Sequence, residues 1–173
     1  MDMKRKLFLQ TFSVFALVVF VSISSCAQNP PASPPAKATG KIGDANITID
    51  YSSPSVKGRQ IFGGLEPYGK VWRAGANKAT TFETDKAITV EGKPLPAGKY
   101  AFFVIPTESD WTVIFNKTSD QWGAFRYDQA QDALRVSVKP KKSATLTEQL
   151  AYKVNNDGVV LQWENVELPV AIK

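Results

Sequence analysis

From Lys41 onward, apolar and polar positions alternate in short runs separated by glycine, proline, asparagine and aspartate. "NITIDYS" sets Ile47, Ile49 and Tyr51 against Thr48, Asp50 and Ser52, the two-residue period of a half-buried strand. "TTFET", "AITVEG", "DWTVIFNK", "QWGAFRYD" and "DALRVSVKP" read the same way. "KYAFFVIP" is apolar at successive positions and so on both faces, which predicts a strand in the middle of a sheet. "KPLPAGKY" holds two prolines and a glycine, a turn signal. Asn155-Asn156-Asp157-Gly158 lies between two alternating runs and predicts a hairpin. No window carries the period of a long amphipathic helix: "YDQAQDAL" allows one turn, and Lys57–Gly69 is too rich in glycine and proline for more than a loop with a short 3₁₀ turn. About eight to ten short strands at regular spacing predict an all-β fold, a single antiparallel β-sandwich of jelly-roll-like kind, over residues 41–173.

The first 40 residues follow other rules. Lys4-Arg5-Lys6 precedes an almost unbroken apolar run from Leu7 to Ile23, the layout of a secretory signal over residues 1–25. The alternative is a membrane anchor helix, since the run is near the lower length for spanning. Ile23-Ser24-Ser25-Cys26 resembles the lipobox of bacterial lipoproteins and favours the signal, with Cys26 as the lipidated residue. The membrane is then a partner through several acyl chains, because one chain alone binds only marginally. Ala27 stands where an aspartate would imply inner-membrane retention, so the expected location is the outer membrane, facing the periplasm. Residues 26–40, with prolines at 30, 31, 34 and 35, read as an extended tether outside the fold.

Composition removes several chemistries. The chain has no histidine, and Cys26 is its one cysteine. Triads with a histidine base, Cys–His pairs, Cys/His zinc sites and internal disulfides are excluded. No D-x-D-x-D-G pattern suggests calcium, and no cofactor or metal is expected. The net charge of +5 is partly in the signal segment, and no basic run occurs in the folded part; nucleic acid is not an expected partner.

Three stretches, "SSPSVKGRQIFGGLEPYGKVWRAGANKATTF", "LPAGKYAFFVIP" and "WTVIFNK…QWGAFRYD", resemble the bacterial family known as domain of unknown function 2911. The resemblance extends over essentially all of residues 41–173. It implies secretion and an all-β domain, and it supplies no catalytic residues.

The densest chemistry lies in "KVWRAGANKATTFETD". In a strand Trp72 and Arg73 point to opposite faces. One reading makes Trp72 core and Arg73 or Asn77 a brace for loop carbonyls. The other is a pocket at one end of the sandwich. There Arg73 forks onto a carboxylate or phosphate, Asn77 fixes a hydroxyl or amide, and Trp72 or Trp122 offers a stacking face. Lys78, Arg59 in "VKGRQIFGG", Asn116 and Lys117 are further candidates; Trp111 and Trp163 read as core. Carboxylates at Glu66, Glu83, Asp85, Asp110, Asp120 and Asp128 mostly flank turns, and no pair stands out. The leading expectation is a non-catalytic, membrane-tethered module that binds a glycan, a peptide or a small anionic ligand. A carboxylate-based hydrolase and a scaffold for another envelope protein are the alternatives.

Cys26→Ser is expected to abolish fatty-acid labelling and membrane fractionation while leaving the domain folded. Equal label in variant and parent would contradict the lipobox assignment.

Overall fold

The computed structural model describes residues 31–173, so the signal segment and Cys26 lie outside the described residues. Ten strands follow in chain order: β1 Pro35–Ile42, β2 Ala45–Ser52, β3 Thr80–Thr84, β4 Ile88–Val90, β5 Lys93–Leu95, β6 Gly98–Ile105, β7 Trp111–Asn116, β8 Asp132–Val138, β9 Lys141–Asn155 and β10 Gly158–Ala171. A single 3₁₀ turn, Gln129–Gln131, is capped by the Asp128 carboxylate on the Ala130 amide. All ladders are antiparallel.

The fold is an all-β sandwich. One layer is a six-stranded sheet in the order β1-β2-β3-β6-β7-β8. It runs in chain order apart from the β4–β5 excursion, so its connections are those of a meander, without a Greek-key crossing. The other layer is built on the β9–β10 hairpin, whose turn falls in the Asn-Asn-Asp-Gly segment as the sequence predicts. The end of β10 pairs with β4 through reciprocal Thr89 and Lys173 backbone bonds of 2.7 and 2.9 Å. Residues 53–56 join the layers: the Ser53 amide bonds Pro34 in one, and Pro54 accepts from Leu150 in the other.

Alternation decides which face packs inward. Ile47 and Ile49 of β2, Phe82 of β3, Phe102 and Val104 of β6, and Val113 and Phe115 of β7 face Leu150, Leu161, Trp163 and Leu168 in one buried cluster. β6 is buried on both sides, as "KYAFFVIP" predicts. Its outer residues Ala101 and Phe103 join Ala79 and Ile114 in a second small cluster, covered by Val71, Ala124 and Tyr127. "QWGAFRYD" is therefore a covering loop and not a strand. Its alternation reflects packing onto the outside of the sheet.

The proposed tether needs correction at its C-terminal end. Residues 35–40 belong to β1, in register from Pro35 opposite Ser52 to Ile42 opposite Ala45. Proline is tolerated there because β1 is an edge strand, where one side of the backbone has no ladder partner. β9 crosses close over it: a Cβ on Gly40 would stand 2.7 Å from the Val154 side chain. The prolines mark where the strand begins rather than excluding it.

A chain beginning at residue 41 is accordingly expected to be measurably less stable than one beginning at 31. Denaturant melts of the two test this; equal midpoints would show β1 to be dispensable.

Candidate functional site

The loop from Trp72 to Lys78 is fixed from within. Trp72 exchanges backbone hydrogen bonds of 2.8 and 2.9 Å with Val104 of β6, which sends its ring inward and Arg73 the other way. The ring is 2% exposed, stacks on Trp163 at 5.7 Å and meets Phe62 edge-on at 5.6 Å. Its indole N–H donates to the Gly75 carbonyl at 3.2 Å. The Ala74 carbonyl accepts from Thr80 Oγ1 at 2.9 Å and from the Tyr152 hydroxyl at 2.7 Å. The Tyr152 hydroxyl is so deeply buried that its pKa is driven well above the ordinary value. Ala74 and Asn77 have φ of 52° and 60°, left-handed values that cost a non-glycine residue free energy unless the surroundings impose them. Gly75 lacks a side chain because a Cβ there would lie 2.8 Å from Thr80 Oγ1.

Arg73 lines an inner cavity of about 260 Å³ together with Lys57, Arg59, Glu66, Trp163 and neighbouring small residues including Ser33 and Ala76, and its Nη1 reaches the covering loop, 3.6 Å from where a Cβ on Gly123 would stand. Two residues of this lining carry a buried donor with no acceptor among the described residues: Arg73 Nε and Trp163 Nε1. Trp163 is brought here by an irregularity in β10, where the register with β9 shifts between Gln162 and Glu164, the re-aiming that a bulge performs. Arg59 is partly committed, its Nε and Nη2 donating to the Val56 and Ser55 carbonyls. Burial pushes the Glu66 carboxyl from its ordinary 4.5 up to about 7, although the Arg73 charge pulls it down. That influence acts without direct contact: the ion pairs among the described residues do not include Glu66 with Arg73.

The other end of the loop faces an outer groove of about 530 Å³, on the outside of β2, β3 and β6. Asn77 and Lys78 line it together with Asp50, Ser52, Thr81, Lys99, Ser119 and Asp120. Asn77 Nδ2 donates to the Ser33 carbonyl at 3.4 Å and to Ser52 Oγ at 3.3 Å, so this amide stands between the two cavities.

The residues nominated from sequence are thus divided. Arg59 and Arg73 converge on the inner cavity, and Asn77 and Lys78 on the outer groove. Trp72 has no free face to stack on a ligand. Asn116 is fully buried and committed: its Nδ2 bonds the Asp128 carbonyl and Asp132 Oδ1, and its Oδ1 takes the Thr118 amide. It braces the covering loop and reaches no ligand. Lys117 is exposed and lines neither cavity. Trp122 is 60% exposed and lies beside the outer groove, its backbone bridged to Lys78. Trp111 and Trp163 are buried, as expected. Lys57, Glu66 and Trp163 were not nominated for a binding site. Trp163 looks like any strand tryptophan in sequence, and only the bulge places it on a cavity.

Comparison with family models finds one described as a protein of unknown function, DUF2911, matching residues 33–172. The chain belongs to the DUF2911 family. Comparison with curated proteins and with solved structures finds no match. The DUF2911 match begins just before β1, in keeping with a domain that includes the strand at Pro35–Ile42.

The geometry makes two predictions for this DUF2911 domain. Trp72→Ala removes a fully packed ring and the hydrogen bond to Gly75, and is expected to cost about 3–5 kcal/mol in a denaturant melt; a loss under about 1 kcal/mol would mean the ring is not packed as described. Glu66 gives a pH signature. Its folded pKa lies above its unfolded one, so the folded state keeps a proton that the unfolded state has released. Its effect on stability is therefore a decline as pH rises from about 4.5 to about 7. Glu66→Gln should remove this decline, gaining on the parent protein towards neutral pH. Parallel stability curves would contradict it.

Proposed function

We propose that this protein is a non-catalytic binding module of the cell envelope. It is tethered by lipid at Cys26 to the outer membrane, on the periplasmic side, and takes a small anionic ligand in the inner cavity. The observation that carries this reading is the pair of orphaned donors, Arg73 Nε and Trp163 Nε1. Buried polar groups are nearly always paired, and leaving one unmade costs about 1–3 kcal/mol. Two residues lining one cavity carry such a donor each, and a ligand that brings acceptors matches them. Lys57, Arg59 and Arg73 set the sign of the site against the single carboxylate of Glu66. A guanidinium fork suits a carboxylate or phosphate. One acidic group does not provide the paired carboxylates that hydrolysis by acid and base or nucleophile requires.

A thermal-shift panel of carboxylates and phosphates on the full-length protein tests the proposal. Ligand at about 100 Kd should add roughly 2.7 kcal/mol of stability. Arg73→Ala should abolish that gain while costing under about 1 kcal/mol itself, because the guanidinium it removes makes no hydrogen bond or ion pair among the described residues. Affinity should fall as pH rises through about 7, where Glu66 becomes charged. A large stability loss in Arg73→Ala, with anion binding retained, would return Arg73 to an architectural role.

A further inference from the structure

The outer groove differs from the inner cavity in every respect that selects a ligand. Its floor is the outer face of β2, β3 and β6, where Asp50 stands opposite Thr81 and Thr81 opposite Ala101. Thr81 lies on that floor, its hydroxyl buried and without a partner among the described residues, while Ala101 beside it is buried in the outer apolar cluster. Asn77, Lys78, Ser119 and Asp120 also line the groove, brought together because the Ala79 and Gly123 amides bond the Gln121 and Asn77 carbonyls. The loop that carries Ser119 and Asp120 is held by Asn116, which accepts from the Thr118 amide and donates to the Asp128 carbonyl.

The charges in this groove cancel. Asp50 and Asp120 stand against Lys78 and Lys99, and both acids are already paired: Asp50 with Lys37 at 3.0 Å, Asp120 with Lys78 at 3.3 Å. The pocket therefore selects neither sign. It offers instead a dense mixture of acceptors and donors: two carboxylates, an amide, four hydroxyl-bearing residues and two ammonium groups. Next to it, Lys78 and Trp122 are bridged as antiparallel partners, which puts their side chains on the same side of the ribbon. The Trp122 ring is 60% exposed at that edge. An indole face combines apolar contact with a polar rim. A neutral ligand with many hydroxyls and an apolar C–H face uses all of these features at once.

We infer that the groove lined by Asn77, Lys78, Ser119 and Asp120 is a second binding site, for a neutral saccharide that stacks on Trp122 and bonds the Thr81 hydroxyl. Sugar hydroxyls both donate and accept, so they satisfy carboxylate, amide and buried hydroxyl together without requiring net charge. The site shares no lining residue with the cavity proposed for the anion.

The test uses the full-length protein with maltotriose, cellotriose and the N-acetylglucosamine trimer as probes. Trp72, Trp111 and Trp163 are buried while Trp122 is not, so acrylamide quenching of tryptophan emission reads Trp122 selectively. At least one probe should protect the emission saturably. Thr81→Val and Asp120→Asn should each weaken binding about tenfold, read through that protection. Trp122→Ala should do the same, followed by calorimetry since it removes the reporter. All three are surface or near-isosteric changes, and thermal melts verify the fold. Lys117→Ala, at an exposed residue that lines neither cavity, should leave saccharide binding unchanged. Absence of saturable binding by every neutral probe up to about 10 mM would overturn the inference, as would binding that survives both Trp122→Ala and Thr81→Val.

Discussion

One backbone oxygen ties the loop from Trp72 to Lys78 to both layers of the sandwich. The Ala74 carbonyl accepts a hydroxyl from Thr80, at the start of β3 in the large sheet, and another from Tyr152 of β9 in the opposite layer. Both donors are buried, so neither bond competes with water, and losing either leaves a buried group underpaired. This double anchor holds Ala74 at a left-handed φ that alanine would not adopt by itself. With Trp72 stacked on Trp163 just before it, the loop has little freedom of its own.

The consequence is a division of labour along seven residues, Trp72 to Lys78. The inward side completes the core. Arg73, turned the other way, reaches a cavity whose free groups are donors and whose charge is mainly positive. Asn77 and Lys78, beyond the anchored carbonyl, face a groove of balanced charge on the outside of the sheet. A rigid loop between two cavities explains why glycine, alanine and asparagine separate the large side chains: Gly75 lets Thr80 approach, Ala74 fits a fully buried position, and asparagine tolerates the positive φ at 77.

Most of the sandwich was legible because each strand has a water-facing side and a core-facing side, which writes a period of two. The exceptions have particular causes. β1 was hidden by Pro34 and Pro35, which forbid a central strand but not the start of an edge strand. β5 was hidden in a turn signal: Glu91 and Gly92, both at positive φ, form a tight hairpin that gives Lys93–Leu95 a partner. "QWGAFRYD" imitates a strand because it covers an outer apolar patch. The candidate site was legible as a motif but not as a geometry. That Trp72 and Arg73 oppose each other follows from local chemistry. That Arg73 meets Arg59 and Glu66, and that Trp163 joins them, depends on the bulge in β10 and on a loop tied to it by the Ile61 amide and the Glu164 carboxylate. Asn116 resembles a free strand-end amide in sequence, and its commitment to Asp128, Asp132 and Thr118 emerges only when the covering loop is in place.

Anion binding requires that Arg73 and Trp163 be waiting donors of one site. A nitrogen-15 titration that follows the Arg73 Nε–H and Trp163 Nε1–H signals, with inorganic phosphate and with succinate added in turn, addresses this directly. Both signals are expected to move together, on a single isotherm, with at least one of the two anions. Stationary guanidinium and indole signals through both titrations, with the protein folded throughout, would contradict it.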